Sequence, residues 1–292
     1  MNPTLDEVEE TLRSTDNLPT LPSVATELIK MIRTSHISAG EVGKLLSEDP
    51  ALTARVLGIV NSAYYGFPRQ ISNVTHSIVL LGFSKVRDVV VTASTINLFQ
   101  SQTPHLDFRA FWMHSITTAI ACEALARTLH SASAVDSFVA GLLHDIGKLA
   151  LATCYPQAFE KAACQAHERN VLLRDAEREA LGFDHAQVGR ILAEQWSFSE
   201  ALADAIHHHH QPSESRLGRE LACLTHVADI LARSVMVGSG GDHRMPRLDD
   251  TARRELSLTR DILDRTMTEL FLGLKRGGAF FDLIQSGPGA AR

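Results

Sequence analysis

Fourteen of the 292 residues are histidines, and six of these fall between His185 and His226. Two more, His114 and His144, stand in helical patterns that could face them. The strongest local word is Gly141-Leu-Leu-His-Asp-Ile-Gly-Lys148: an adjacent His144–Asp145 pair inside an apolar run, with Lys148 three residues after the aspartate. Burying an imidazole, a carboxylate and an ammonium there is costly unless they are paired with one another or bound to a metal. Imidazole nitrogen with carboxylate oxygen suits a first-row divalent ion such as Fe, Mn, Ni or Zn, and a carboxylate can bridge two of them. The same residue types also fit a plain core network, a neutral His hydrogen-bonded to a carboxylate.

Other candidates carry similar alternatives. Asp229 has a ready partner in Arg233 four residues on, as in a helix-surface ion pair. His185 follows Asp184, a residue suited to a helix N-cap, and can be an ordinary first-turn residue. His226 reads as a supporting or surface residue. The run His207 to His210 cannot point one way at about 100° per residue. At most two adjacent members converge, and the other two are expected in solvent. His36, His76, His105, His130, His167 and His243 lie in polar contexts and receive no role.

The elements that must position these residues read as helices. Apolar residues recur every three or four positions between Gly and Pro breaks, which predicts an all-α protein. Pro22 and the stripe Val24, Leu28, Ile29, Ile32 predict a helix over about 22–34. Ser38 and Glu41 form a capping-box spacing, and Asp49-Pro50 opens the next helix. Further helices are expected at 73–81 and 84–99; the β-branched Val89 to Thr92 would lack a partner strand. A seam at Thr103–Pro104 separates two helical lobes. The second lobe begins with a long pattern from Phe108 and continues at 134–154, 156–169, 172–182, 184–196, 199–210 and 216–236. A Gly/Ser loop follows at Val237 to Asp242, then a helix near 258–274 and a tail, frayed from Gly287, without a core pattern.

Composition narrows the function classes. Hydrophobic residues make up 45% and charged ones 21%, the balance of a folded globular chain. Lys and Arg number 28 against 34 Asp and Glu, a net charge of −6, the wrong sign for broad attraction to nucleic acid or anionic lipid. Cys122, Cys154, Cys164 and Cys223 form no CxxC pair and suit thiols in a reducing compartment. The acidic start, with Asp6, Glu7, Glu9 and Glu10, is unlike a signal peptide, and no unbroken apolar stretch reaches about 18 residues. These features predict a cytoplasmic protein. Ser38 to Ser62 is superficially a helix-turn-helix, but its second helix holds Arg55 as its only basic residue, which disfavours nucleic acid as a partner.

His114, His144-Asp145 and Asp229 resemble the H…HD…D signature of the HD superfamily of metal-dependent phosphohydrolases. Leu18-Pro-Thr-Leu-Pro22, Glu48-Asp-Pro-Ala51, Asn61-Ser-Ala-Tyr-Tyr-Gly66 and Ser77-Ile-Val-Leu-Leu-Gly82 resemble the N-terminal half of the HDOD family, the HD-related output domain of bacterial signalling proteins. The resemblance implies a leader over 1–17 and an HDOD domain over 18–213, divided into an N-terminal lobe (18–103) and an HD-like core (104–213). Residues 214–292 would complete the HD-like lobe. It is similar also to the HD-GYP phosphodiesterases, where matching histidines hold a second metal. On that likeness His114, His144, Asp145, His185, His209, His210 and Asp229 are the implied ligands of one or two ions. Asp145 would bridge, and Lys148 would approach a phosphate. The chain departs in lacking Gly-Tyr-Pro after the histidine pair, where Gln211-Pro-Ser-Glu-Ser stands, which argues against cyclic-di-GMP hydrolysis.

Two functions follow as expectations. One is a regulatory output protein with a metal centre, whose partner is a signalling protein or a small-molecule ligand. With no receiver domain attached, its input would come from another protein or ligand. The other is a metal-dependent phosphohydrolase acting on a nucleotide or phosphoester, with Asp145 and Lys148 as catalytic residues. Tyr64, Tyr65 and Phe67 are expected to pack between lobes or face a partner.

Overall fold

The computed structural model describes residues 3–14, 21–33, 37–96, 98, 106–242 and 244–285. No element among them is a β-strand, so the all-α expectation holds, and Val89 to Thr92 lie in a helix. The seam at Thr103–Pro104 and the tail from Gly287 lie outside the described residues. Chain contacts divide the protein into two units, one of residues 1–19 and 99–270, the other of 20–98 and 271–292.

The smaller unit contains α2 (Ser23–Ile32), α3 (Ala39–Ser47), α4 (Pro50–Val60), α5 (Val74–Leu81), α6 (Phe83–Thr95) and α17 (Gly278–Gln285). Its local signals are those of the sequence. Ser38 and Glu41 form a reciprocal capping box, and Asp49 caps α4 by accepting from the Leu52 amide at 2.9 Å. Helix α6 is buried from Val86 to Thr95 against α2 and α4. The sequence assigns all of 214–292 to the other lobe, but Phe280 of α17 is fully buried and meets Tyr64 edge-on at 5.0 Å. Tyr64, Tyr65 and Phe67 thus pack with one another and with α17 inside a single unit.

The larger unit holds α1 (Leu5–Arg13), α7 (Phe108–Thr128), α8 (Ala134–Leu143), α9 (Ile146–Cys154), α10 (Pro156–Arg169), α11 (Leu173–Leu181), α12 (His185–Gln195), α13 (Glu200–His208), α14 (Arg219–Ser234), α15 (Asp250–Glu255) and the start of α16 (Arg260–Arg276). Helix α1, read in the sequence only as a leader, is capped by Thr4 and Glu7 and buries Val8 and Leu12. It packs on α12, with Thr11 Oγ1 2.7 Å from the Tyr155 hydroxyl. Helix α7 is the spine, buried from His114 to Ala126 and packed by α8 and α14. Asp204 fixes the turn into α14: its Oδ2 accepts from the amides of Arg216, Leu217 and Gly218 at 3.0–3.1 Å.

One expected helix is two. Residues 134–154 form a continuous apolar pattern, long enough to resemble a membrane span, yet most of that stretch is buried inside the protein. It breaks at the ionisable pair: α8 ends at Leu143, Asp145 adopts φ −100° and ψ 6°, and α9 starts at Ile146. The joint is clamped by close backbone approach. A Cβ on Gly141 would lie 2.7 Å from Ala119 Cα of α7. One on Gly147 would collide with the His185 carbonyl oxygen and sit 2.7 Å from the Gly189 amide of α12.

Gly147→Ala should therefore destabilise the protein by about 3 kcal/mol through overpacking. Gly58→Ala, on an exposed face of α4 with open space around it, should stabilise by about 0.5–1 kcal/mol. Denaturant unfolding of both variants checks this, and equal effects would mean that the α9–α12 crossing does not depend on Gly147.

Candidate metal centre

Five helical segments deliver side chains to one point in the larger unit. His114 comes from the middle of α7, His144 and Asp145 from the α8–α9 joint, His185 from the first turn of α12, His209 and His210 from the end of α13, and Asp229 from α14. All seven residues singled out in the sequence come together. Donor atoms of Asp145, His185, His209 and His210 lie within 4.8 Å of one another, and so do those of His114, His144 and Asp229.

Asp145 stands between the two groups. Its Oδ1 is 3.1 Å from His185 Nε2 and 3.7 Å from His209 Nε2. Its Oδ2 is 3.3 Å from His144 Nε2 and 3.9 Å from His114 Nε2. Asp229 Oδ1 is 3.1 Å from His114 Nε2 and 3.9 Å from His144 Nε2. Lys148, fully buried, gives one proton to Asp145 Oδ2 at 2.7 Å and another to the Gly240 carbonyl at 2.8 Å.

The imidazoles are oriented from behind. His144 Nδ1 is 2.8 Å from the Gly141 carbonyl and His209 Nδ1 is 2.7 Å from that of Ile206. Each Nδ1 therefore carries the proton, and each Nε2 lone pair faces the centre. His185 Nδ1 lies 2.5 Å from Glu177 Oε2. The Nε2 atoms of His114, His144 and His209 and Oδ1 of Asp145 are buried without a well-formed hydrogen bond among the described residues. Four such atoms around one point would each cost about 1–3 kcal/mol. Imidazole and carboxylate donors of this kind are the set a first-row divalent ion satisfies, so the residues fit a metal.

The charges are tuned by burial and by each other. Burial and neighbouring histidines hold His209 and His210 well below the usual histidine range. His114 is lowered mainly by burial. Burial opposes ionisation of Asp145 and Asp229, but His144 and Lys148 around the first, and Arg233 and His114 around the second, hold both well below the usual carboxylate range. His185 goes the other way: burial disfavours its charge, yet the Glu177 carboxylate and Asp145 raise it to about 9.

Of the supporting residues, Glu177 is not singled out by the sequence, while Arg233 and His226, read there as a partner and a support, lie deeper than a surface position. Glu177 lies four residues after Leu173 and one after Ala176, on the buried face of α11, and that anomaly was its only signal. Arg233 is no surface partner. Nine-tenths buried, it gives Nε to Asp229 Oδ1 at 2.9 Å and Nη1 to Asp242 at 2.6 Å. His226 is buried, with Nδ1 2.9 Å from the His209 carbonyl and Nε2 accepting from the Asp249 amide at 3.0 Å. His207 and His208, expected in solvent, are half-buried. His207 lies 3.4 Å from Arg190 Nη1 and His208 the same distance from Asp204 Oδ1. Asp184 does cap α12, accepting from Ala186 and Gln187, while His185 beside it turns inward; both readings of that pair hold at once. The Gly/Ser loop covers the centre. Ser239 N donates to the Ala110 carbonyl at 2.9 Å, and a Cβ on Gly240 would lie 3.0 Å from Asp145 Oδ2 and 3.2 Å from Lys148 Nζ.

The HDOD-domain family pattern matches residues 18–212. An uncharacterised Treponema pallidum protein is 26% identical over 196 residues, which is 67% of this chain and 38% of that protein. The chain thus spans well under half the length of this relative. A crystal structure of a candidate phosphohydrolase from Shewanella amazonensis superposes with a TM-score of 0.73 at 23% identity, covering 96% of this chain and 97% of that one. An HDOD-domain protein of unknown function from Geobacter sulfurreducens gives 0.73 at 24%, covering 96% of each. At these identities the structural likeness is one of fold.

In the metal-free protein the raised folded value of His185 contributes stability that is complete below its unfolded value and is lost as pH rises through about 9. A metal ion must displace that proton, so binding near neutral pH should release about one proton per chain. Calorimetry in two buffers of different ionisation heat measures it. Glu177→Gln should abolish the release and weaken affinity about 10–100-fold. Unchanged release in the variant would show that Glu177 does not govern His185.

Proposed function

The chain belongs to the HDOD-domain family, and on that premise we propose that it is a regulatory output protein of bacterial, cytoplasmic signal transduction, with a metal centre that serves ligand or partner recognition. His114, His144, Asp145, His185, His209, His210 and Asp229 hold one or two divalent ions of the Fe, Mn, Ni or Zn class. Asp145 is placed to touch both groups of donors. The observation that carries the reading is the depth of the donor set: His114, His144, Asp145, His185, His209 and Asp229, with Lys148 beside them, are all at most 2% exposed, and of the seven donors His210 alone is half-buried. Gly240 lies against Asp145 and Lys148, and the Lys148 ammonium donates to Asp145 and to the Gly240 carbonyl. A site that turns over a phosphoester must admit it, whereas a structural or sensing centre need not.

A second reading, metal-dependent hydrolysis of a nucleotide or phosphoester, is favoured by one specific feature. The full donor set stands beside a buried lysine. A bound divalent ion would supply Lewis acidity toward a phosphoryl oxygen. Lys148 would stabilise negative charge on that group, and Asp145 would hold Lys148 in place. In both readings the partners are a signalling protein or a small ligand. The net charge of −6 supports leaving nucleic acid and membrane surfaces out.

Elemental analysis of anaerobically purified protein should find one or two ions per chain in wild type, fewer in His185→Ala and none in Asp145→Ala. Equal content in all three overturns the metal centre. With bis(p-nitrophenyl) phosphate as probe, metal-loaded wild type should hydrolyse no faster than the free ion. Turnover that disappears in Lys148→Met would overturn the regulatory reading and establish the hydrolase.

A further inference from the structure

One face of the centre is not sealed. His210, half-buried, forms part of the lining of a cleft of about 360 Å³ between the start of α11 and the segment that follows the covering loop. Both segments bring apolar and basic residues to the lining: Val171, Leu172 and Arg174 from the first, and Arg244, Met245, Pro246 and Arg247 from the second. Asp175 is the single carboxylate in the lining, 3.3 Å from Arg174 Nε. Three arginines against one aspartate leave the cleft at +2, in a chain whose net charge is −6. Among the described residues the guanidinium groups of Arg244 and Arg247 have no ion-pair partner, and both residues are exposed.

We propose that this cleft binds a small phosphate-bearing ligand of mononucleotide size, its phosphate held by Arg174, Arg244 and Arg247 and its apolar body lying on Leu172, Met245 and Pro246. The volume is at the low end of the range for small-molecule sites, and a lining of apolar residues with a few charged ones is their usual chemistry. Guanidinium forks match phosphate oxygens two at a time, and Arg244 and Arg247, without ion pairs among the described residues and grouped with Arg174 on an acidic protein, are an anion's counterpart. The proposal names the small ligand of the functional reading above and rests on it for the ligand's role. The cleft itself requires no metal.

The test is calorimetric titration of the full chain, before and after chelator treatment, with AMP, GMP, inorganic phosphate and adenosine. Nucleoside monophosphates should bind more tightly than phosphate or adenosine, and more weakly as salt rises. Arg244→Ala/Arg247→Ala should lower their affinity about tenfold or more, with metal content and unfolding midpoint unchanged. Arg260→Ala, on the exposed start of α16, should bind as wild type does. Adenosine binding as well as AMP, undiminished binding in the double variant, or no saturation by any probe at millimolar concentration overturns the proposal. Binding that survives in protein found to carry no metal upholds the cleft while rejecting the metal centre. The reverse pattern rejects the cleft alone.

Discussion

The larger unit is organised around a carboxylate that has no access to water. Asp145 is fully buried, and an ion so placed is tolerated only where opposite charges and hydrogen bonds replace its hydration. Lys148 satisfies Oδ2 from one turn away, an economical solution because both residues flank the start of α9. The other oxygen faces His185 and His209, which come from α12 and α13 and must be brought in by tertiary packing. Removing any one of α7, α12, α13 or α14 leaves buried imidazoles or carboxylates without partners. An ion that bound only the assembled donors would therefore stabilise the assembly, coupling occupation of the centre to folding of this unit.

The supporting residues follow the same logic one layer out. Glu177 holds His185 by its ring and by its backbone amide, at 3.0 Å for the latter. Arg233 neutralises Asp229 and then spends its remaining donors on Asp242 and the Arg244 carbonyl, which ties the segment after α14 to the centre. His226 reaches the His209 carbonyl and so braces the histidine pair. Each of these is a hydrogen bond from a charged or polar group that would otherwise be buried alone, and each fixes the direction of one donor. Orientation of this kind contributes to how tightly a site holds an ion.

What the sequence reveals of this is determined by locality. The His144–Asp145 pair stands out because ionisable residues interrupt an apolar run, and caps such as Ser38–Glu41 and Asp49–Pro50 are legible because their partners lie within three residues. The convergence of His114, His185, His209, His210 and Asp229 is legible only through a family likeness, since nothing local links positions more than a hundred residues apart. The α8–α9 break is hidden because the apolar pattern runs straight through it; the backbone departs from helix at Asp145 without a Gly or Pro to mark the place. Helix α1 shows only two buried residues, Val8 and Leu12, among acidic ones, so its periodicity is faint. Glu177 and Arg233 look like solvated helix residues until a tertiary partner is supplied.

The Gly/Ser loop shows why composition alone misleads about role. Residues 237–242 have the make-up of a flexible linker, yet here glycine serves close approach: a Cβ on Gly238, at φ +79°, would collide with the α7 backbone at Ala110 and His114, and one on Gly240 would crowd Asp145 and Lys148. The Gly240 carbonyl takes one of the three hydrogen bonds that the Lys148 ammonium can donate, and Asp145 takes another. The loop backbone thus lies directly against the buried ion pair, and its position sets how much room is left beside Lys148. With that carbonyl in place the lysine serves to stabilise a buried carboxylate; with it displaced, the same ammonium would face whatever group entered beside Asp145. The fold alone is compatible with more than one chemistry, so the groups lining this spot, rather than the helical frame, would decide which one operates.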